Sequence, residues 1–299
     1  MEGLGAWASF LLIAAGFIAR KSRLLPGEAF DPLPQLLFSL CYPAMIIQTL
    51  AEVSFAELVA DSAYFIVFTS ITLLAAYGVG RLALRMEKAP DRRELVLFSM
   101  QVGNTTFIGL PVVQLLYGAA GIYFVTVYNA LVDLYVWTAG YSMFVKRQEK
   151  GLPWRKWFNP CTVAMLVGIA LSLTGVALPG PVRQAFSAMG SLTVPMALLL
   201  TGNLLAQSSF AQMFCDGKAL VLSAVKVIGF PLAAAGVLWL LPLPDQTRIL
   251  SVLVLAMPFP LLSVLLAKQH GKDESFALTL VVVSTVMFLA VFGMALAVG

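Results

Sequence analysis

The spacing of the apolar runs constrains this chain more than any other feature. Stretches of about 20 residues with almost no charge recur along its length, which is what a helix needs to cross the hydrocarbon of a bilayer. Ten such spans can be placed, at about 4–20, 33–50, 62–84, 94–116, 121–145, 159–175, 185–206, 218–241, 247–267 and 275–297. Composition agrees. Hydrophobic residues make up 60% of the 299 positions and charged ones 11%, too few to cover a soluble domain of that length. Turn signals such as Leu25-Pro26-Gly27 and Leu178-Pro179-Gly180 separate several spans. The first apolar run has no basic residue before it and Arg20, Lys21 and Arg23 after it, which reads as a retained helix rather than a cleaved signal.

The basic residues set an orientation. With the N-terminus outside, inside loops hold 16 of the 19 Lys and Arg residues, ten of them in the segments 81–93 and 146–156. Outside loops hold only Arg183 and Arg248, and Lys226 falls within a span. This bias predicts a multi-pass protein of the cell (inner) membrane with both termini extracytoplasmic and a cytoplasmic 146–158 loop. Basic residues confined to short loops control topology, so the net charge of +4 does not point to nucleic acid. Cys41, Cys161 and Cys215 are scattered, with no metal or disulfide spacing, and no cofactor is expected.

The two halves repeat. Residues 50–61, LAEVSFAELVAD, and 205–216, LAQSSFAQMFCD, are identical at six of twelve positions, at an offset of 155. Arg93 meets Arg248 at the same offset. At offsets of 152 and 153, Ser39-Leu40-x-x-Pro43 meets Ser191-Leu192-x-x-Pro195, and the two Leu-Pro-Gly turns meet each other. Each copy holds five spans, an odd number, so the second enters the membrane inverted. The expected fold is an all-α polytopic membrane protein with two inverted five-helix repeats, 1–150 and 151–299. Inverted repeats of this kind let a secondary transporter open first to one side and then to the other.

The fourth span of each repeat is interrupted. The first contains Gln101-Val102-Gly103-Asn104-Thr105-Thr106-Phe107-Ile108-Gly109-Leu110-Pro111, and the second Ala256-Met257-Pro258-Phe259-Pro260. Proline removes a backbone donor and clashes with the preceding turn. Unwound backbone is tolerated in a membrane only where protein or water satisfies it, and a half-helix that starts there offers a positive dipole end to an anion. Unwinding is expected near Pro111 and Pro258, with the two helices crossing there. The candidate substrate residues are Gln101, Gly103, Asn104, Thr105 and Pro111 with Met257, Pro258 and Phe259.

Two ionisable residues fall well inside spans, Asp133 and Lys226. Each costs about 3 kcal/mol to insert, so a functional role is the default. Their depths allow pairing. Lys226 is expected to stand in for a coupling cation, or one of the two to carry a proton. Asn129, Asn203, Gln48 and Thr201 are weaker pathway candidates, and His270 is expected to be solvated in a turn.

The segment Asn104-Thr105-x-x-x-Gly109-x-Pro111 resembles the fourth-helix crossover motif of the auxin efflux carrier family, which includes bacterial permeases and plant auxin exporters. Ala256-x-Pro258 followed by Ala267-Lys268 resembles its ninth-helix counterpart, and Asn159-Pro160, Pro195 and Gly202 also fit. The resemblance covers nearly the whole chain. It implies a fold like that of bile-acid symporters and NhaA-type carriers, with spans 1, 2, 6 and 7 as a panel and spans 3–5 and 8–10 as a transport domain that moves as an elevator. It also implies that helices 4 and 9 cross at their prolines, where Asn104 touches a substrate carboxylate. Asp133-x-x-x-Trp137 stands where plant members look like Gln-x-x-x-Trp.

The function expected is secondary active transport of a small organic anion, a mono- or dicarboxylate or auxin-like acid. An ion-coupled symporter of bile-acid type and a passive channel or facilitator are the alternatives. A membrane enzyme is not expected, because no Ser/His/Asp set, second buried Asp or His/Cys metal cluster is present. The partners are the substrate anion and the lipid bilayer, with a homodimer left open.

Overall fold

A computed structural model describes residues 2–24, 26–144, 159–207 and 216–298 of the chain. Every regular element among the described residues is a helix. In order they are α1 (Glu2–Lys21), α2 (33–51), α3 (Phe55–Ala83), α4 (Pro90–Gln101), α5 (105–117), α6 (119–140), α7 (Pro160–Thr174), α8 (Gly180–Gln207), α9 (Gly217–Leu238), α10 (Asp245–Ala256), α11 (Leu262–Gln269) and α12 (Glu274–Val298). Among the described residues six helical stretches are long and apolar enough to cross a membrane, and Pro160–Thr174 is a shorter apolar helix. The expected 146–158 loop, the boundary between residues 150 and 151, Leu25, and most of the 205–216 repeat segment with Cys215 lie outside the described residues.

One of the six stretches, Pro90–Gly140, has 51 residues but is not one rod. It is interrupted at 102–104, where Val102 is extended (φ −105°, ψ 139°). It also reverses at Gly118, whose φ of 55° and ψ of −132° only glycine adopts readily. A methyl group on Gly121 would strike the Val113 carbonyl, eight residues back. In a straight helix those positions stand about 12 Å apart along the axis, so α5 and α6 fold against each other as a hairpin.

Four helices carry a five-residue π turn: Leu37–Cys41, Thr105–Gly109, Val136–Gly140 and Val225–Gly229. Three of them end two residues before a proline, Pro43, Pro111 and Pro231. A proline within a helix lacks its N–H and pushes on the carbonyl four residues back, and the wider turn takes up that displacement. In the fourth, the Thr138 hydroxyl donates to the Leu134 carbonyl at 2.6 Å, a side-chain bond that bends helices. Pro111 is therefore accommodated within a helix, and the unwinding expected beside it lies instead at 102–104.

The helices form two compact units, each discontinuous in sequence. The first contains residues 1–69, 110–139 and 150–206, and the second 70–109, 140–149 and 207–299. In the first unit the C-terminal half of α2 is deeply buried, with Tyr42, Ala44, Ile46 and Leu50 almost wholly enclosed. It packs on α7, where Leu50 meets Gly168 and the Ser172 hydroxyl donates to the Val53 carbonyl at 2.7 Å. On its other side Met45 meets Gly190 of α8. The helix α7 starts at Asn159, whose carboxamide oxygen accepts from the Cys161 and Thr162 amides, and ends at Gly175 in the left-handed conformation. Helices α1 and α8 approach through glycine. A methyl group on Gly202 would overlap the Ile13 carbonyl, and one on Gly16 the Leu199 carbonyl.

In the second unit, ion pairs join the α3–α4 loop and the start of α4 to two other elements. Arg92 pairs with Asp273 at 2.7 Å and lies 4.4 Å over the Phe276 ring, and Lys272 pairs with Glu94 at 3.1 Å. Glu87, whose side chain is only 2% exposed, pairs with Lys218 at 3.4 Å and accepts from the Ala89 amide. Burial alone would raise the Glu87 carboxyl. The Ala89 N–H, Lys218 and Arg92 outweigh that and hold it below its ordinary value of 4.5. His270 is not the solvated turn residue expected. It packs against Tyr141 and Phe144, with ring centroids 5.3 and 6.0 Å away.

Gly202→Val should separate α1 from α8 and cost about 1–3 kcal/mol, the usual penalty of overpacking, read as a lowered melting temperature of the detergent-solubilised protein. Gly180→Ala, with nothing within 4 Å of its new methyl, should leave the melting temperature unchanged. A second outcome concerns acid. Because the Glu87 carboxyl is depressed, its contribution is present above pH 4.5 and disappears as pH falls through its lower folded value. Melting temperature measured from pH 7 to pH 3 should fall less steeply below pH 4.5 in Glu87→Gln than in wild type.

Candidate functional site

The second unit contains two short stretches of unwound backbone that interrupt helices, 102–104 and 257–260. They are bonded directly: the Asn104 amide donates to the Pro258 carbonyl at 2.8 Å. In a continuous helix the Asn104 amide would instead bond the Met100 carbonyl, four residues back. That carbonyl is taken by Lys226, whose ammonium donates to it at 3.0 Å. Lys226 is 3% exposed. It thus places an amine donor at the C-terminal end of α4, the end at which the helix dipole favours a cation.

The second stretch is satisfied in the same way. The Pro260 carbonyl accepts from the Ser263 amide at 3.0 Å and from the Ser263 hydroxyl at 2.7 Å. The Phe259 amide donates to the Ser284 hydroxyl at 3.0 Å, and that hydroxyl donates to the Val281 carbonyl one turn earlier in α12. Pro258 and Pro260 themselves have no N–H to satisfy.

Close packing holds the two stretches together. A methyl group on Gly103 would lie 3.0 Å from the Met257 Cβ, and one on Gly109 would lie 3.4 Å from the Met257 sulfur. Met257 and Phe259 are 0% and 1% exposed. The site residues read from the sequence on these stretches, Gln101, Gly103, Asn104, Thr105, Met257, Pro258 and Phe259, therefore gather in one unit, all buried except Gly103, which is half-buried. Pro111 is buried in α5, seven residues beyond the break. The Gln101 carboxamide bonds the Leu97 carbonyl of its own helix. The Asn104 carboxamide forms no hydrogen bond with another described residue, while the Asn104 carbonyl accepts the Ile108 and Gly109 amides of the following π turn.

The remaining candidates fall in the first unit. Asn129 donates to the Tyr42 hydroxyl at 2.9 Å, Thr201 bonds the Ala197 carbonyl, and Gln48 is half-buried on α2. The Asn203 carboxamide oxygen is buried without a hydrogen bond. Asp133 lines a cavity of that unit. Lys226 and Asp133, whose depths allow pairing, thus belong to different units. Three contributors were not singled out from the sequence: Ser263, Ser284 and the Met100 carbonyl. Ser284 could have been flagged by the polar pair Ser284-Thr285 in the apolar run 274–298. The Met100 carbonyl carries no signal in the sequence at all.

The sequence model of a family described as Membrane transport protein matches residues 8–294. An uncharacterized transporter of Methanothermobacter thermautotrophicus is 22% identical over 285 residues, covering 93% of this chain and 92% of its own length.

Removing the Lys226 ammonium while keeping its bulk leaves the Met100 carbonyl buried and unbonded, which costs about 1–3 kcal/mol. Lys226→Met should lower the melting temperature accordingly, measured by thermal unfolding in detergent. An unchanged melting temperature would mean that the carbonyl finds another donor.

Proposed function

The chain belongs to the membrane transport protein family, that of the auxin efflux carriers, and on that premise we propose that it is a secondary carrier of a small organic anion. As a member it is a multi-pass membrane transporter and not an enzyme. The observation that carries the finer reading is the bond between Asn104 and Pro258, with a fixed ammonium bonded beside it. A half-helix begins at Thr105, and its positive end faces the break together with the buried Asn104 carboxamide. These are anion-recognition elements. Asn104 and Thr105 would hold a carboxylate, and Gly103, Met257 and Phe259 would shape its surroundings.

An inverted five-helix repeat, ten spans in all, is the architecture that best explains the two breaks. Helices α4 (Pro90–Gln101) and α10 (Asp245–Ala256) each have 12 residues, and their starts, their ends and the unwound positions after them all differ by the offset of 155 found in the sequence. Arg93 and Arg248, repeat mates at that offset, also behave alike. Arg93 bonds the Glu87 carbonyl six residues back, and Arg248 the Leu241 carbonyl seven back. Such symmetry supports alternating access, with the crossover carried across the membrane as an elevator. The orientation proposed keeps Arg92, Lys218 and Lys272, all ion-paired within the second unit, on the cytoplasmic side.

Lys226 occupies the place where an ion-coupled carrier would bind a cation, at the negative end of a broken helix. Transport is therefore independent of sodium. The test is flux of mono- and dicarboxylates into proteoliposomes in sodium-free buffer. Wild type should transport equally well in sodium, potassium or choline. Asn104→Ala should lower flux at least tenfold. Lys226→Ala should abolish it in protein that is still inserted and monodisperse, and Lys226→Arg should not restore it, because a guanidinium does not fit a site built for a compact ammonium. Strict sodium dependence of wild type, or normal flux in Lys226→Ala, would overturn the reading.

A further inference from the structure

The first unit contains a cavity of about 540 Å³ walled by α2, α3, α6 and α7, a volume in the range of pockets for small organic ligands. Its walls are almost entirely apolar. Among the lining residues no Lys, Arg or His is present, and Asp133 is the one carboxylate. Val59, Ile66, Leu134 and Leu166 line it and are themselves 50–58% exposed, so its mouth opens among side chains on the apolar surface of the helices. A ligand would enter from the acyl chains of the bilayer.

Tyr42, Ser62 and Thr162 contribute hydroxyls to this cavity, and its one carboxylate lies on a stripe of α6. Thr126, Ala130, Asp133 and Trp137 all line the cavity, at the i, i+4, i+7, i+11 spacing of a single helix face. Thr126 is 2% exposed, and its hydroxyl has no hydrogen-bond partner. Asp133 makes no hydrogen bond or ion pair with another described residue. A carboxylate in an apolar wall costs several kcal/mol unless something pairs with it. A second anion would be repelled, and a plain acyl chain would leave Asp133 unpartnered. An ammonium satisfies the carboxylate, and the indole one helical turn away offers a ring face that attracts the same charge.

We propose that this cavity is a binding site for a cationic amphiphile, an alkyl or aryl ammonium dissolved in the bilayer. Its head is held by Asp133 and Trp137, and its apolar body lies along Ala130 toward Thr126. The charge selected is opposite to that of the anion proposed for the break, so the two sites can be told apart by ligand. The amphiphile site does not depend on the transport reading.

The experiment titrates the full-length protein in phosphatidylcholine nanodiscs with radiolabelled dodecylammonium, dodecanol and dodecanoate, with empty nanodiscs as the blank. Wild type should bind one dodecylammonium per chain in a saturable manner and neither of the other two. Asp133→Asn should weaken that binding tenfold or more. Asp133→Glu, which keeps the charge, should retain it, which separates loss of the carboxylate from loss of the fold. Ala130→Phe, which fills the cavity, should remove it. Equal saturable binding of dodecanol would show an ordinary acyl-chain crevice and overturn the proposal, as would dodecylammonium binding that is unchanged in Asp133→Asn.

Discussion

The second unit is organised around one hydrogen bond, from the amide of Asn104 to the carbonyl of Pro258. Two helices are unwound where the surroundings are apolar, and an unwound residue there has no water to bond. Each break supplies what the other lacks. The groups left over are taken by side chains from other elements: Lys226 on the Met100 carbonyl, Ser284 on the Phe259 amide and Ser263 on the Pro260 carbonyl. The close contact of Gly103 with Met257 follows from the same bond, since the two backbones cannot approach with a side chain between them.

The same principle governs the less dramatic irregularities. A proline inside a spanning helix disturbs one turn, and here a π turn placed just upstream absorbs the disturbance at Pro43, Pro111 and Pro231. Pro258 and Pro260 differ because they are only two residues apart. A single widened turn cannot take up two displaced carbonyls and two missing donors, so the backbone opens.

Much of this was legible in the sequence. Apolar length pointed to an all-helical membrane protein, and the end of α4 and the break after α10 fall inside the motifs that glycine, asparagine and proline marked. The exact position of the first break was not legible, because Pro111 is the stronger formal breaker yet sits where a helix tolerates it. Burial of Lys226 was legible from its place in an apolar run. Its partner was not, because depth along a helix is encoded by position while direction around it depends on packing. The partner is also a backbone carbonyl, which every residue has and no letter distinguishes. Asp133 illustrates the converse. Its depth allowed it to pair with Lys226, and it lies instead in the other unit, on the wall of an apolar cavity.

An ammonium built into the chain differs from a bound ion in what it can contribute to energetics. A bound cation arrives from one compartment and leaves to another, and the difference in its concentration does work. Lys226, covalently attached and bonded to the Met100 carbonyl, is never released. It neutralises charge locally but brings no gradient with it. The carrier proposed above would draw its driving force from whatever does cross. For an anion leaving a cell whose interior is negative, that includes about 2.3 kcal/mol per charge for every 100 mV of membrane potential.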